Sequence, residues 1–222
     1  NHPFLFEGVR PEDTDGNGGA ASDLGLVFSS GKLSMLDHLL RMLVVDAAEP
    51  QKVLIFSQFT TTLDLLEEYA ALRGFGYVRL DGSTSIGRRR YYMHLFNHAR
   101  NGPPLFLIST KAGGLGLNLQ AASTVVLFDS SWNPWVDLQA MDRVHRVGQL
   151  RDVTVYRLLC MGTCEERIRF FAEQKLQLKD LVLKDTDEAS PLESAADAAA
   201  LYSGAQLAEM VRFGSEAFMS NG

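Results

Sequence analysis

The string QAMDRVHRVGQ (139–149) carries Gln139, Arg143 and Arg146 at i, i+4 and i+7. On a helix that spacing sets all three on one face. Guanidinium forks a turn apart suit phosphate oxygens, although a polar face is also what an ordinary helix shows to water. Upstream, STKAGGLGLNL (109–119) follows an apolar run directly. Gly113, Gly114 and Gly116 allow close approach of another backbone, such as a phosphate strand. A tight strand-to-helix turn explains the same glycines. In SSWNPW (130–135), Trp132 and Trp135 flank a turn, either as core plugs or as platforms for a nucleic-acid backbone.

Other chemistry is excluded. Phosphate-cradling loops that hydrolyse nucleotides need G-x-x-x-x-G-K-[ST]. The nearest approach is Gly31-Lys32, but position 26 is Leu and Leu33 replaces the hydroxyl residue. Asp187-Glu188-Ala189-Ser190 has the look of an acidic ATPase box, yet it lies in a polar stretch and not at the end of an apolar strand. A complete nucleotide-hydrolysing centre is therefore not expected in this chain. Cys160 and Cys164 stand four apart without a neighbouring His, so neither a metal site nor a disulfide framework is expected. Reduced, packed thiols fit the cytosol or nucleus.

The elements that must position these residues alternate. Leucines at three-to-four spacing predict a helix over 30–45. KVLIFS (52–57) reads as a buried strand, followed by a helix from Thr60, taken as its N-cap, to Leu72. GYVRL (76–80) is a strand closed by Asp81-Gly82, with a helix over 85–99 behind it. PLFLIS (104–109), TVVLFD (124–129) and VTVYRLL (153–159) are further strands. Pro134 suits the first turn of a helix running to 147, and another helix spans 163–183. Buried strands alternating with helices predict an α/β fold with a parallel sheet covered on both faces.

Length and composition agree with such a fold: 222 residues, 46% hydrophobic and 22% charged. The longest apolar runs are far shorter than the roughly 20 residues a membrane helix needs, and no signal segment opens the chain. Its first residue, Asn1, marks it as a piece of a longer polypeptide. The formal charge of -6 argues on its face against nucleic acid. That charge is uneven. Residues 1–30 carry five acids and one base, residues 185–222 carry seven acids and one base, and residues 31–184 hold 19 bases against 15 acids.

Taken in order, VLIFSQ, RLDGST, STKAGGLGLNL, DSSWNP and QAMDRVHRVGQ resemble the motif set of the second RecA-like lobe in superfamily-two helicase-type ATPases. The wording resembles the Swi/Snf group of chromatin-remodelling translocases. NHPFLFEG (1–8) is similar to the segment that joins the two lobes in that group, and the resemblance extends to about residue 184. MVRFGSEAF (210–218) is similar to a short segment beyond the lobe in ISWI- and CHD-type remodellers. Lys111 stands where many relatives have Arg, and the acidic, Gly-rich insert 11–21 has no counterpart in the pattern.

The resemblance implies an inter-lobe segment over 1–30, a RecA-like lobe over 31–184 and an acidic linker over 185–205. A short helical segment over 206–222 completes a C-terminal helical extension. It implies ATP bound between two lobes, with Mg2+ and the phosphate loop held by the first lobe of the same polypeptide. Arg143 and Arg146 take the positions of arginine fingers supported by Gln139, and Gly114 and Gly116 couple nucleotide to DNA. Ser57, Gln58, Asp81, Gly82, Ser83, Thr110, Lys111 and Trp132 match positions that face the DNA backbone. Double-stranded DNA or the nucleosome, remodelling-complex subunits and a nuclear location follow. The full-length protein is expected to be a DNA-dependent ATPase and the isolated chain to be inactive. Two alternatives stay open: a repair or strand-separating motor, and a non-catalytic binding lobe.

Overall fold

The computed structural model describes residues 2–6, 9, 25–99, 102–113, 117–144, 149 and 151–185. Its strands are β1 (Val53–Ser57), β2 (Tyr77–Leu80), β3 (Leu105–Ser109), β4 (Thr124–Leu127) and β5 (Thr154–Arg157). They form one sheet in the order β2-β3-β1-β4-β5, and every neighbouring pair is parallel. Its α-helices include α1 (Gly31–Leu40), α2 (Thr60–Leu72), α3 (Ile86–His98), α4 (Pro134–Met141) and α5 (Cys164–Asp185), with a single helical turn at Thr110–Gly113.

Alternation along the strands explains why the sheet is covered twice. Val53, Ile55, Leu105, Leu107 and Val126 enter one core with Leu33, Leu36 and Leu40 of α1 and Leu63, Leu66 and Tyr69 of α2. Leu54, Phe56, Phe106, Ile108, Val125 and Leu127 enter the other, with Phe96 of α3, Leu117, Leu119, Ala140 and Val144. The handedness of parallel crossovers accounts for the division. The chain leaves β1 toward the β2 edge through α2, then travels back toward β5 through α3, the 110–122 segment and α4. Reversing direction moves the crossover to the opposite face.

Local signals set the ends. Ser85 caps α3, accepting the Arg88 N–H, and Ser30 caps α1 in the same way through Leu33. Helix α2 closes on Gly74, whose φ of 70° lets its N–H reach Ala71 O while the Phe75 N–H reaches Ala70 O. That is the Schellman arrangement, in which a left-handed residue suits glycine.

Strands β4 and β5 end two residues earlier than expected, at Leu127 and Arg157, and three helix boundaries differ as well. Thr60 is the first residue of α2 and not its cap; Phe59 occupies the cap position without a side-chain bond. The predicted helix over 30–45 ends as α-helix at Leu40 and continues as a π-turn, Arg41–Val45. Helix α4 stops at Met141, short of 147. There Arg143 N–H turns to Ala140 O and Val144 N–H to Met141 O, tightening the last turn, while Val144 is drawn into the core.

The chain divides into two compact units, Asn1–Asp129 with Gln139–Leu158, and Ser130–Leu138 with Leu159–Gly222. The first holds the whole sheet. Within the second, Asn133 accepts the Trp135 N–H at 3.2 Å and so caps α4, and Ser131 N–H donates to the buried Asp137 carboxylate at 3.2 Å. Thr163 caps α5 through the Glu165 N–H, and Glu166 reaches back to the Gly162 N–H at 3.1 Å. The expected linker 185–205 (beyond Asp185) and the segment 206–222 lie outside the described residues. No helix among those described is long and apolar enough to cross a membrane.

Candidate phosphate-binding edge of the sheet

A parallel sheet delivers all its strand ends to one edge, and ligands of open α/β sheets bind outside that carboxyl edge. Register places Ser57 of β1 opposite Ser109 of β3, Phe56 opposite Leu127 of β4, and Leu80 of β2 opposite Ile108 of β3. The residues that follow these strands therefore share one edge. They are Gln58, then Asp81 with Gly82 and Ser83, then Thr110 with Lys111.

The β1 end is fixed by a residue that carried no functional role in the sequence reading, Asp129. Its carboxylate is 3% exposed and accepts the Ser57 hydroxyl at 2.5 Å and the Gln58 N–H at 2.8 Å. Burial raises its pKa above the ordinary value, opposed by those two hydrogen bonds and by the Lys32 charge. Lys32, equally buried, donates to Phe128 O at 2.9 Å. The Gly31-Lys32 pair thus opens α1 and pegs the end of β4; it cradles no phosphate. An acid closing the apolar string VVLF (125–128) was the available signal, since a buried carboxylate demands partners.

The β2 end is an Asx-type turn. Asp81 accepts the Ser83 N–H at 2.9 Å and the Ser83 hydroxyl at 2.6 Å, and its second oxygen accepts Arg79 Nε at 2.9 Å. The Ser83 hydroxyl is the largest cause holding its carboxyl below the ordinary value, with burial opposing and the Ser83 N–H and Arg79 assisting. Arg79 also pairs with Asp64 and Glu67 of α2, tying helix to strand. Ser83 is exposed, as is Gly82.

At the β3 end, Thr110 is buried and Lys111 exposed. Gly114 and Gly116 lie outside the described residues, but the exit of their loop is clamped from two sides. Asn97 of α3 donates to Asn118 O at 2.8 Å and accepts the Ala121 N–H at 3.2 Å. Gln149 donates to Gln120 O at 3.2 Å and to Ala122 O at 2.8 Å. No pattern in the sequence singled out Asn97, because a lone polar residue on a helix reads as solvated.

The arginine segment joins this loop through its backbone. Arg143 O accepts the Leu119 N–H at 3.4 Å, and the Arg143 side chain is half-buried. Gln139 is exposed near the end of α4. Because α4 ends at Met141, Gln139 and Arg143 do not share the continuous helical face that their spacing predicted, and Arg146 lies outside the described residues. Trp132 is half-buried in the second unit and belongs to the capping loop of α4. Among the described residues no three His, Cys, Asp or Glu side chains are placed to hold a metal ion. The buried carboxylates of the edge, Asp81 and Asp129, are already engaged, so these residues do not fit magnesium.

Residues 31–148 match the helicase conserved C-terminal domain. The chain is 46% identical over 184 residues to the human SWI/SNF-related matrix-associated actin-dependent regulator of chromatin subfamily A member 1, covering 83% of this chain and 17% of that protein. It is equally similar to the yeast (Saccharomyces cerevisiae) ISWI chromatin-remodeling complex ATPase ISW2, covering 83% and 16%. To the human chromatin-remodeling ATPase INO80 it is 52% identical over 158 residues, covering 71% and 10%. The chain thus spans about a sixth or less of the curated relatives it matches. In structure it is similar to the C-terminal part of the Fun30 ATPase domain, with TM-score 0.62, 43% identity and coverage of 65% of this chain and 46% of that one. On its motifs, its sheet order and these likenesses, the chain belongs to the helicase conserved C-terminal domain family and is a RecA-like C-terminal lobe of the Swi/Snf type.

Proposed function

We propose that this lobe is half of an ATP-dependent DNA translocase that remodels nucleosomes in the nucleus. The observation that carries the reading is the shared carboxyl edge, where the register of three parallel strands brings Gln58, the exposed Gly82 and Ser83, and the exposed Lys111 to one level. Ser57, Gln58, Asp81, Gly82, Ser83, Thr110 and Lys111 are the groups we assign to the DNA backbone, together with Trp132 of the second unit. Such contacts go to phosphates, so binding is salt-sensitive and nearly independent of sequence.

Toward ATP we assign the guanidinium groups of Arg143 and Arg146, with Gln139 supporting them. ATP supplies the transferable γ-phosphoryl group; the part played by these residues is to place positive charge where negative charge develops on it. Arginine in that role is worth about 10³–10⁵ in rate. Gly114 and Gly116 lie in the loop whose exit is fastened to Arg143, which makes that loop the coupling between nucleotide and DNA. Magnesium and the phosphate loop belong to the first lobe of the same polypeptide, and the isolated chain hydrolyses no ATP. Remodelling-complex subunits are the further partners, and we take residues 1–30 as the inter-lobe segment, 31–184 as the lobe, 185–205 as linker and 206–222 as a post-lobe segment.

The test is made on the full-length protein. DNA-stimulated ATP hydrolysis accompanied by nucleosome sliding, without strand separation in a duplex-unwinding assay, is the expected result. Unwinding without sliding would instead indicate a repair or strand-separating motor. Absence of hydrolysis with DNA binding intact would indicate a binding lobe.

A further inference from the structure

Helix α3 places Arg88, Arg89 and Arg90 at its third to fifth positions, with no acid in the first turn. This is the wrong end of a helix for positive charge, because the unpaired N–H groups there favour carboxylates and disfavour cations. Position three is also where Glu or Gln completes a capping box with an N-cap Ser. Here Ser85 supplies the cap and Arg88 stands where the acid belongs. No ion pair involves any of the three arginines among the described residues. Arg89 is turned to carbonyls, its Nε donating to Thr84 O at 2.8 Å. Arg88 and Arg90 are exposed. Local rules broken without structural compensation gather at functional positions.

Arg88 also lines an open cleft of about 370 Å³ with Tyr92, Ser83, Thr84, Glu67, Arg79 and Asp81. Glu67 and Asp81 are both paired to Arg79. The Ser83 hydroxyl is donated to Asp81, and Thr84 Oγ1 accepts the Asp81 N–H at 3.1 Å. Besides Arg79, the donors in the cleft are the Arg88 guanidinium and the Tyr92 hydroxyl, neither of which makes a side-chain hydrogen bond among the described residues. Asp64, Glu67 and Asp81 share the one Arg79 guanidinium, whereas Arg88 is shared with no carboxylate among the described residues, and a cation with a hydroxyl beside it suits a singly charged phosphodiester.

We propose that Arg88 and Tyr92 hold a backbone phosphate of nucleic acid in this cleft, one contact beyond the Asp81–Ser83 turn, with Arg90 adding attraction from the exposed face. This rests on the DNA-translocase reading above and extends its footprint to α3.

The experiment titrates the full-length protein with two duplexes of unrelated sequence across a range of salt, for wild type, Arg88→Glu, Arg88→Lys and Tyr92→Phe. Arg88→Glu should lower the steepness of log K against log salt by about 0.9 or more, the loss of one phosphate contact. Affinity should fall several-fold on both sequences alike. Arg88→Lys should keep the slope, and Tyr92→Phe should weaken binding without changing it. Thermal midpoints supply a readout of opposite sign. Arg88→Glu should leave the midpoint equal or higher, since it completes the capping box, whereas a structural role for Arg88 would lower it. An unchanged slope for Arg88→Glu, with wild type bound, overturns this inference alone. Failure of the wild type to bind either duplex overturns the translocase reading and the inference with it.

Discussion

Two carboxylates at the strand ends respond to pH with opposite sign, and each does so for a nameable cause. Asp81 is held below its ordinary value of 3.8 chiefly by the Ser83 hydroxyl. Its stabilisation is present above that value and is lost as pH falls through the lowered one. Asp81→Asn should therefore flatten the acid limb of a plot of thermal midpoint against pH below about pH 4. Asp129 is raised above 3.8 by burial, so its favourable contribution belongs to the protonated form and is lost as pH rises through the folded value. Asp129→Asn leaves one of the Ser57 and Gln58 donors without its acceptor, at about 1–3 kcal/mol. Measured by denaturant unfolding, that deficit should widen as pH is lowered through the raised folded value toward the ordinary carboxyl range, because only the wild type gains on acidification. A deficit independent of pH would show that Asp129 is not the buried titrating group described.

At the scale of elements, the strands were legible because β1, β3 and β4 are short apolar runs, while β2 and β5 are β-branched and aromatic segments that follow Gly76 and Asp152 closely. The covered faces follow from the alternation of Val53, Ile55 against Leu54, Phe56. The end of α4 was not legible, since QAMDRVHRV keeps helical spacing past the point where Arg143 O turns to Leu119 N–H. Long-range backbone bonds leave no trace in local periodicity. The same reason hid Asn97, which acts 21 and 24 residues away. Asn97→Ala should cost about 1–2 kcal/mol and raise amide exchange at 118–122, with exchange in β1 unchanged. Gly74→Ala forces a side chain into a φ of 70° and should lower stability by about 1 kcal/mol through the Schellman turn. Retained exchange protection after Asn97→Ala would mean that Gln149, Arg151 and the Arg143 carbonyl secure the loop without it.

For the whole molecule, the formal charge of -6 averages acidic ends over a basic body. Every residue assigned here to phosphate lies within 31–184. Net charge misdirects when the segments carrying it are separate from the surface that binds. The likeness to remodelling ATPases covers a tenth to a sixth of those proteins, so the motor activity proposed above is one of the whole polypeptide, in which we assign this lobe a part. We assign to that part arginine charge at the transferring phosphate. The direct measurement is kcat for DNA-stimulated ATP hydrolysis by the full-length protein and its Arg146→Ala variant, with folding checked by thermal midpoint. Turnover should fall by about 10³-fold or more with DNA affinity and midpoint preserved. Turnover within a few-fold of wild type in a folded, DNA-bound variant would contradict that assignment.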